Sequence, residues 1–246
     1  MMTLFALFIL AGQAGALTPE QERIPREVDA LVVSHRGHVY FTETGKQQVT
    51  LVDLQTKQKR AADTGITAPN GITLSPDQGT LAVSDYKGAH VWAFRVEADG
   101  SLAAKAPFMT MRLPIDPAGE FKLNKPPPYE KESGGDGMTS DTVGRYYVAT
   151  TLGVQVFDPT GRECGLLPKP DPNKPLTSCA LPGPDRGYLY ITHGDKILRR
   201  KVQAVGNVFF QAPAGERAAT LTKGSLECHF GTRKGVPLPG RGGISL

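Results

Sequence analysis

Gly79-Thr-Leu-Ala-Val-Ser-Asp85 is one of four copies of a single pattern in this chain of 246 residues. Each copy begins with a turn glycine, continues through a run of β-branched and aromatic residues, and ends in a polar residue. The other copies are Gly37-His-Val-Tyr-Phe-Thr-Glu43, Gly144-Arg-Tyr-Tyr-Val-Ala-Thr150 and Gly187-Tyr-Leu-Tyr-Ile-Thr-His193. Their glycines are 42, 65 and 43 residues apart. Two of these intervals match the period of roughly 40–50 residues that is typical of β-propeller blades.

Further short strands flank every copy of the pattern. One precedes each glycine, at residues 30–34, 71–75, 137–141 and 179–182, and another follows, at residues 49–54, 90–96, 154–158 and 196–202. A weaker fourth segment comes next and is clearest at Val208–Gln211. Four short strands per repeat predict a propeller blade. Because no amphipathic helical segment lies between residues 28 and 212, a parallel sheet with helical crossovers is not favoured. The sequence therefore predicts an all-β propeller with about four recognisable blades.

Composition and spacing also predict what surrounds the propeller domain, placed at residues 28–212. Residues 112–135 are rich in proline and charge, which indicates an inserted loop. An apolar run and a small-residue pattern within residues 1–16 indicate a signal peptide, or an anchor if it is not cleaved. We therefore expect a secreted or periplasmic protein. Residues 213–246, rich in Gly, Pro, Lys and Arg, indicate an irregular or disordered tail.

Charge and cysteine content exclude some classes of function. The net charge is only +4, and no basic stripe alternates with aromatic residues, so a nucleic-acid partner is not indicated. The three cysteines show no C-x-x-C spacing and do not form a zinc-site pattern. Cys179 is expected to be a small core residue, whereas a Cys164–Cys228 bridge is left open by the sequence.

Four polar residues occupy equivalent positions, 8 or 9 residues ahead of the four glycines: Asp29, Asn70, Asp136 and Ser178. The innermost strand of each propeller blade lines the central channel, so residues at the start of these strands should converge. Two carboxylates, an amide and a hydroxyl form a hard, oxygen-rich set that suits Ca²⁺ or Mg²⁺. The dipeptides Asn70-Gly71 and Asp136-Gly137 are also typical of turns, which is the alternative interpretation.

The second strands end in Glu43, Asp85, Thr150 and His193, again at equivalent positions. If they face the channel, Asp85 and His193 are candidates for proton transfer and substrate binding. The alternative is that these strand-end side chains hydrogen-bond the adjacent turns.

Three segments carry a family resemblance. These are Ala68-Pro-Asn-Gly-Ile-Thr-Leu-Ser-Pro-Asp77, Gly135-Asp-Gly-Met138 and Thr177-Ser-Cys-Ala180, in that order. Together they resemble the gluconolactonase, regucalcin and luciferin-regenerating enzyme family over roughly residues 28–203. The resemblance implies a six-bladed propeller with one divalent cation at the channel mouth, most often Ca²⁺, although Mg²⁺, Mn²⁺ or Zn²⁺ also suit an Asn/Asp oxygen site. It implies Asn70 and Asp136 as metal ligands, and Asp136 also as the base that activates water. Asp29 stands where the family commonly has a substrate-contacting Asn, so that contact is altered here. We expect both Asp29 and Ser178 to contact substrate.

The chain departs from the family pattern near its start. The metal-binding Glu of an early Glu-Gly-Pro type motif has no counterpart, and about two N-terminal blades are expected to be missing. An incomplete ring would expose blade edges. The alternatives are a truncated family member, assembly with another chain, or a ring that closes differently. We expect a divalent-metal-dependent hydrolase of a sugar lactone or related cyclic ester. The alternatives are a non-catalytic propeller that binds a ligand or partner at its channel face, and a propeller enzyme without metal.

Overall fold

The computed structural model describes residues 28–181 and 187–213. Fifteen strands in this part of the chain form four antiparallel sheets, and the strands of each sheet follow one another in chain order. We call these sheets blades 1 to 4. The predicted signal peptide, Cys228 and all but the first residue of the predicted tail lie outside the described residues.

The strands of the four blades are short, between three and nine residues long. Blade 1 contains β1 (Leu31–Val33), β2 (His38–Glu43), β3 (Gln48–Asp53) and β4 (Lys59–Thr64), with a short 3-10 turn at Thr44–Lys46. Blade 2 contains β5 (Pro69–Leu74), β6 (Thr80–Asp85), β7 (His90–Val96) and β8 (Leu102–Thr110). Blade 3 contains β9 (Met138–Ser140), β10 (Tyr146–Thr150), β11 (Gly153–Phe157) and β12 (Glu163–Pro168). Blade 4 contains β13 (Leu176–Ala180), β14 (Tyr188–His193) and β15 (Lys196–Lys201).

This architecture confirms the predicted all-β propeller. Four blades occur where the four sequence copies lie, and blades 1 to 3 have four strands each. The inserted loop also forms as expected, with only an isolated bridge between Ile115 and Tyr129. No helix in the described part of the chain is long and apolar enough to cross a membrane.

One prediction about blade 4 is wrong. Val208–Gln211 does not form its fourth strand, and blade 4 has three strands among the described residues. Instead, Phe209 packs against the core between blades 1 and 2, and Gln78 Nε2 donates hydrogen bonds to the carbonyl oxygens of Phe209 and Gln211. Because the Phe209 ring packs against blades 1 and 2, this segment does not pair with the edge strand of blade 4.

The second strands of blades 2 and 3 carry an unbroken apolar run because both of their faces are covered. In β6, Leu81 and Val83 join a core shared with blade 1, whereas Ala82 joins the core shared with blade 3. In β10, Tyr146 packs toward blade 2 and Tyr147 toward blade 4. The period-2 alternation of a strand therefore divides its side chains between two neighbouring cores. This explains why the repeated runs are continuously hydrophobic rather than alternating.

The first strands β1, β5, β9 and β13 contact one another in sequence, which places them at the centre of the blade array. Cys179 on β13 is buried in the core between blades 3 and 4, as predicted, whereas Cys164 is exposed. The residues that precede or begin these strands lie at one end of the array. The segment that follows β15 crosses the other end.

We call residues 204–211 the strap. Ala204 is buried in the core between blades 3 and 4, and Gly206 bridges Asp141 just beyond β9. Asn207 Nδ2 donates hydrogen bonds to Ser140 Oγ at 2.8 Å and to the Asp141 carbonyl oxygen at 2.9 Å. The strap thus joins blade 4 to blade 3 and, through Phe209, to blades 1 and 2.

Candidate active site

The four residues predicted to form a ring lie at the start of the four central strands. Asp29 stands two residues before β1, Asn70 is the second residue of β5, Asp136 stands two residues before β9, and Ser178 is the third residue of β13. Because the central strands neighbour one another in chain order, these residues lie along the same end of the array. The equivalence read from the sequence is therefore also an equivalence of position.

Glycines bring the ring positions of neighbouring blades into close contact. A Cβ added to Gly71 would lie 2.1 Å from the Asp136 carbonyl oxygen and 2.9 Å from the Met138 nitrogen. A Cβ added to Gly137 would lie 2.3 Å from Ser178 Oγ and 2.8 Å from Ser178 Cα. The glycine after Asn70 and the glycine after Asp136 thus leave room for the next ring residue, which is a stronger requirement than a turn alone imposes.

Hydroxyl groups on the second strands fix the backbone of the ring. Ser84 is buried, and its Oγ accepts a hydrogen bond from Gly71 N at 2.8 Å and donates one to the Asp136 carbonyl oxygen at 2.9 Å. Thr42 holds the equivalent position in β2, and its Oγ1 donates to the Asn70 carbonyl oxygen at 2.5 Å. Sequence reasoning missed both residues, although each one directly precedes a strand-end residue that it singled out, Asp85 or Glu43.

Asp136 is the most perturbed carboxyl group of this region. Burial, countered in part by a hydrogen bond from Gly137 N to Oδ1 and reinforced by the nearby Asp29 carboxylate, raises the pKa of Asp136 to about 7. No hydrogen bond from the described residues reaches its Oδ2. Asp136 makes no ion pair with a described residue, and a like charge, that of Asp29, stands close by.

The chemistry of Asn70 and Asp136 fits a divalent cation. The Asn70 side chain is half-buried, and no described residue hydrogen-bonds its amide, so its oxygen is free to coordinate. A cation would also offset the burial and the like-charge repulsion of Asp136. Among residues 28–181 and 187–213, no three His, Cys, Asp or Glu side chains are grouped to hold a metal. The protein donors found here are thus one amide and one carboxylate, with Asp29 nearby.

Asp29 and Ser178, both predicted to contact substrate, differ in how they are held. Asp29 is exposed, and its Oδ2 accepts a hydrogen bond from Thr44 N at 2.9 Å. Ser178 is half-buried beside Gly137, and no described residue hydrogen-bonds its hydroxyl. Their roles as substrate contacts stay predictions.

Asp85 and His193 are buried at the ends of their strands, and both contact backbone groups. Asp85 Oδ1 accepts hydrogen bonds from Ala68 N at 2.9 Å and Lys87 N at 3.3 Å. His193 Nε2 lies 3.0 Å from the Asp171 carbonyl oxygen. Asp85 thus bonds the adjacent turn at Lys87, as in the alternative interpretation, whereas His193 contacts the loop between β12 and β13. Direct contact of either residue with substrate stays a prediction.

A cleft with a volume of about 310 Å³ opens beside Asp136. One side comes from residues near Asp136 and the other from the loop between β12 and β13, which the sequence did not single out. The lining residues are Tyr86, Gly134, Asp136, Thr151, Lys169, Asn173, Lys174, Pro175, Leu176 and Thr177. A cleft of this size can hold a small cyclic molecule next to the Asp136 carboxylate.

A family model and a curated relative both match this chain. Residues 16–195 match the model of the family described as the SMP-30/Gluconolactonase/LRE-like region. A gluconolactonase from Zymomonas mobilis is 24% identical over 192 residues, which cover 72% of this chain and 50% of that protein. The chain thus spans about half the length of this curated relative.

Two solved structures share the fold. A gluconolactonase from Xanthomonas campestris superimposes with a TM-score of 0.55 and 22% identity, covering 70% of this chain and 56% of the other. A protein from Agrobacterium tumefaciens, described as the calcium-binding protein regucalcin, gives a TM-score of 0.57 and 15% identity, covering 74% of this chain and 64% of the other.

Proposed function

Because the chain belongs to the SMP-30/gluconolactonase/LRE-like family, we propose that it is a hydrolase of a sugar lactone or a related cyclic ester. The observation that carries this proposal is the placement of Asp136, a half-buried residue that lines the cleft and whose Oδ2 accepts no hydrogen bond from the described residues. A carboxylate in that position can accept a proton from a water molecule that attacks a bound ester.

We infer that Asn70 and Asp136 bind a divalent cation, for which Ca²⁺ is the first candidate. Three observations support it: no described residue hydrogen-bonds the Asn70 amide, no described residue forms an ion pair with Asp136, and the fold is like that of a protein described as calcium-binding. When bound, such a cation would supply Lewis-acid polarisation of the lactone carbonyl group. Mg²⁺, Mn²⁺ and Zn²⁺ are the other candidates for a site with these donors.

The reaction then follows from the residues of the chain. Asp136 takes a proton from water, and the water oxygen bonds to the carbonyl carbon of the lactone. The bond between this carbon and the ring oxygen breaks, and the ring oxygen takes up the proton. The product is the open hydroxy acid. Ser84 and Gly71 position Asp136 through its main chain rather than through its carboxylate.

The test combines calcium titration by calorimetry with hydrolysis of glucono-1,5-lactone in the same samples. We expect one metal site, loss of turnover in chelator, and recovery on adding calcium back. Asp136→Asn should lower turnover by at least about 100-fold, as expected when a general base is lost. Asp158→Asn, at an exposed turn in the same blade, is the matched control and should keep wild-type turnover.

The outcomes separate this proposal from the alternative. Full activity in Asp136→Asn would refute the role of Asp136. No turnover by the wild-type chain, together with lactone binding that chelator does not change, would instead support a non-catalytic propeller that binds its ligand at the channel face.

A further inference from the structure

The loop between β12 and β13, residues 169–175, is held in one conformation by several hydrogen bonds. Asp171 Oδ1 accepts a hydrogen bond from Asn173 N at 3.0 Å, and the Asp171 carbonyl oxygen accepts one from Lys174 N at 3.3 Å. Gly194 N donates to the Pro175 carbonyl oxygen at 2.8 Å. The loop therefore meets a ligand with its shape already formed, which reduces the entropy cost of binding.

His193 braces this loop from inside blade 4. Its ring is buried, and Nε2 lies 3.0 Å from the Asp171 carbonyl oxygen. Because a carbonyl oxygen can only accept, Nε2 must carry the proton and donate it. His193 therefore acts on the cleft through the loop, as a positioning residue.

The loop brings positive charge to the cleft. Lys169 is half-buried, and no described residue pairs with its ammonium group. Lys174 also lines the cleft, and its Nζ lies 2.5 Å from Asp195 Oδ1, but the Asp195 side chain is 71% exposed. An exposed pair of this kind contributes little stability, so Lys174 can exchange Asp195 for another anion at small cost. Two lysines and one carboxylate, that of Asp136, therefore line the cleft.

We propose that Lys169 binds an anionic group of the substrate, a carboxylate or a phosphate, so that the preferred substrates are lactones that carry a negative charge. This inference rests on the proposed lactone hydrolysis and names the substrate class of the same site. Lysine is a compact point charge that pairs with either group. A half-buried ammonium group also gains more from such a pair than a fully solvated one. Lys174 adds a second, weaker attraction at the same wall of the cleft.

The test compares three lactones by kcat/KM. Glucono-1,5-lactone is neutral, its 6-phosphate carries a phosphate, and glucaro-1,4-lactone carries a carboxylate. We expect the wild-type chain to prefer at least one anionic lactone. Lys169→Gln should lower kcat/KM for that lactone by about tenfold to 100-fold, mainly through KM, as expected when one member of a charge pair is removed. The neutral lactone should change by less than about threefold, and Lys169→Arg should keep most of the preference.

Lys196→Gln is the matched control. Lys196 is an exposed lysine at the start of β15 in the same blade and does not line the cleft. It should leave all three rates unchanged. Hydrolysis of the lactones with no anionic preference, or with a preference that survives Lys169→Gln, overturns this inference and leaves the proposed function standing.

A second readout covers the case in which no lactone is hydrolysed. Calorimetry then compares binding of 6-phosphogluconate, glucarate and the neutral glucitol to wild type and Lys169→Gln. Tighter binding of an anion that depends on Lys169 supports the anion site although the proposed reaction has failed. Equal binding of all three compounds, or the same anion affinity in both proteins, overturns the site as well.

Discussion

The Cα of Gly71 faces the main chain of Asp136 so closely that a methyl group on it would lie 2.1 Å from the Asp136 carbonyl oxygen. The obstacle is backbone, which cannot rotate away as a flexible side chain would. This contact joins blade 2 to blade 3 at the candidate site. Its glycine therefore serves to bring two blades together rather than to make a turn.

Gly71→Ala tests this contact. Because the added methyl group forces the two blades apart, we expect the free energy of unfolding to fall by about 2 kcal/mol or more, as for overpacked cores. Calcium affinity should fall as well, since Asp136 moves. Gly45→Ala is the matched control because a Cβ there meets nothing within 4 Å, and it should change stability by less than about 0.5 kcal/mol. Chemical denaturation measures the free energy of unfolding of both variants, and equal losses in the two would contradict the contact.

Ser84→Ala tests the hydroxyl that links the same two strands. The substitution leaves Gly71 N and the Asp136 carbonyl oxygen without their buried partner, so we expect a loss of about 1–3 kcal/mol in the free energy of unfolding. Ser101→Ala removes a hydroxyl that bonds the exposed Asp99 and should cost less than about 0.5 kcal/mol. If both variants are as stable as the wild type, water replaces the Ser84 hydroxyl without penalty.

Substitution of Gln78 tests how much the strap contributes to the stability of the fold. Its side chain accepts a hydrogen bond from His35 N at 3.0 Å and donates to the Phe209 and Gln211 carbonyl oxygens, so it links two turns with the strap. We expect Gln78→Ala to lower the free energy of unfolding by about 2–3 kcal/mol, through several lost hydrogen bonds. The exposed Gln55→Ala is the control.

A second variant is required because the backbone conformation of Gln78 itself affects the stability of Gln78→Ala. Its φ angle is 58°, which disfavours alanine independently of the lost hydrogen bonds. Gln78→Gly removes the amide but suits this φ angle, so it isolates the side-chain hydrogen bonds, which are those to His35 N and to the strap. Wild-type stability in Gln78→Gly would show that the contacts between Gln78 and the strap contribute nothing measurable.

The blades could be predicted because second strands such as β6 and β10 pack against cores on both faces. Leu81 and Ala82 face different cores, and both must therefore be apolar. The same apolar run consequently recurs in each repeat of the sequence. The path of Phe209 could not be predicted in this way. A short apolar segment suits either a fourth strand or a strap, and only packing against distant blades decides between them.

The ring residues could be found because each stands at a fixed distance from a repeated glycine. Lys169 and Ser84 could not, for two physical reasons. Lys169 lies in a loop whose conformation depends on the buried His193, a contact between residues far apart in the sequence. Ser84 reads as an ordinary strand residue, and its bond to the Asp136 carbonyl oxygen crosses from one blade to the next.

His38 should make the stability of the protein depend on pH in the acidic range. This imidazole is buried, and its ring lies against Gly100, where an added Cβ would be 2.8 Å away. Burial lowers the pKa of His38 below its usual value. Arg36 and Arg60 lower it further, while Asp53 and Asp99 oppose the shift.

The sign of the pH effect follows from this lowered pKa. Above the usual histidine pKa, both the native and the unfolded chain keep His38 neutral, so its titration contributes nothing. As the pH falls through the usual value, the unfolded chain binds a proton that the native chain refuses. The free energy of unfolding must therefore decrease, and it decreases until the native pKa is passed.

His38→Phe removes this titration while it keeps a ring of similar size. Between about pH 7.5 and pH 5, the free energy of unfolding should fall less steeply for this variant than for the wild type. Urea denaturation at several pH values gives the two slopes, and other titrating groups cancel in their difference. Proton NMR of the wild-type imidazole should show a midpoint below that of a histidine in an unfolded peptide. Parallel stability curves, or an ordinary midpoint, would mean that the His38 ring is hydrated and can accept its proton without unfolding.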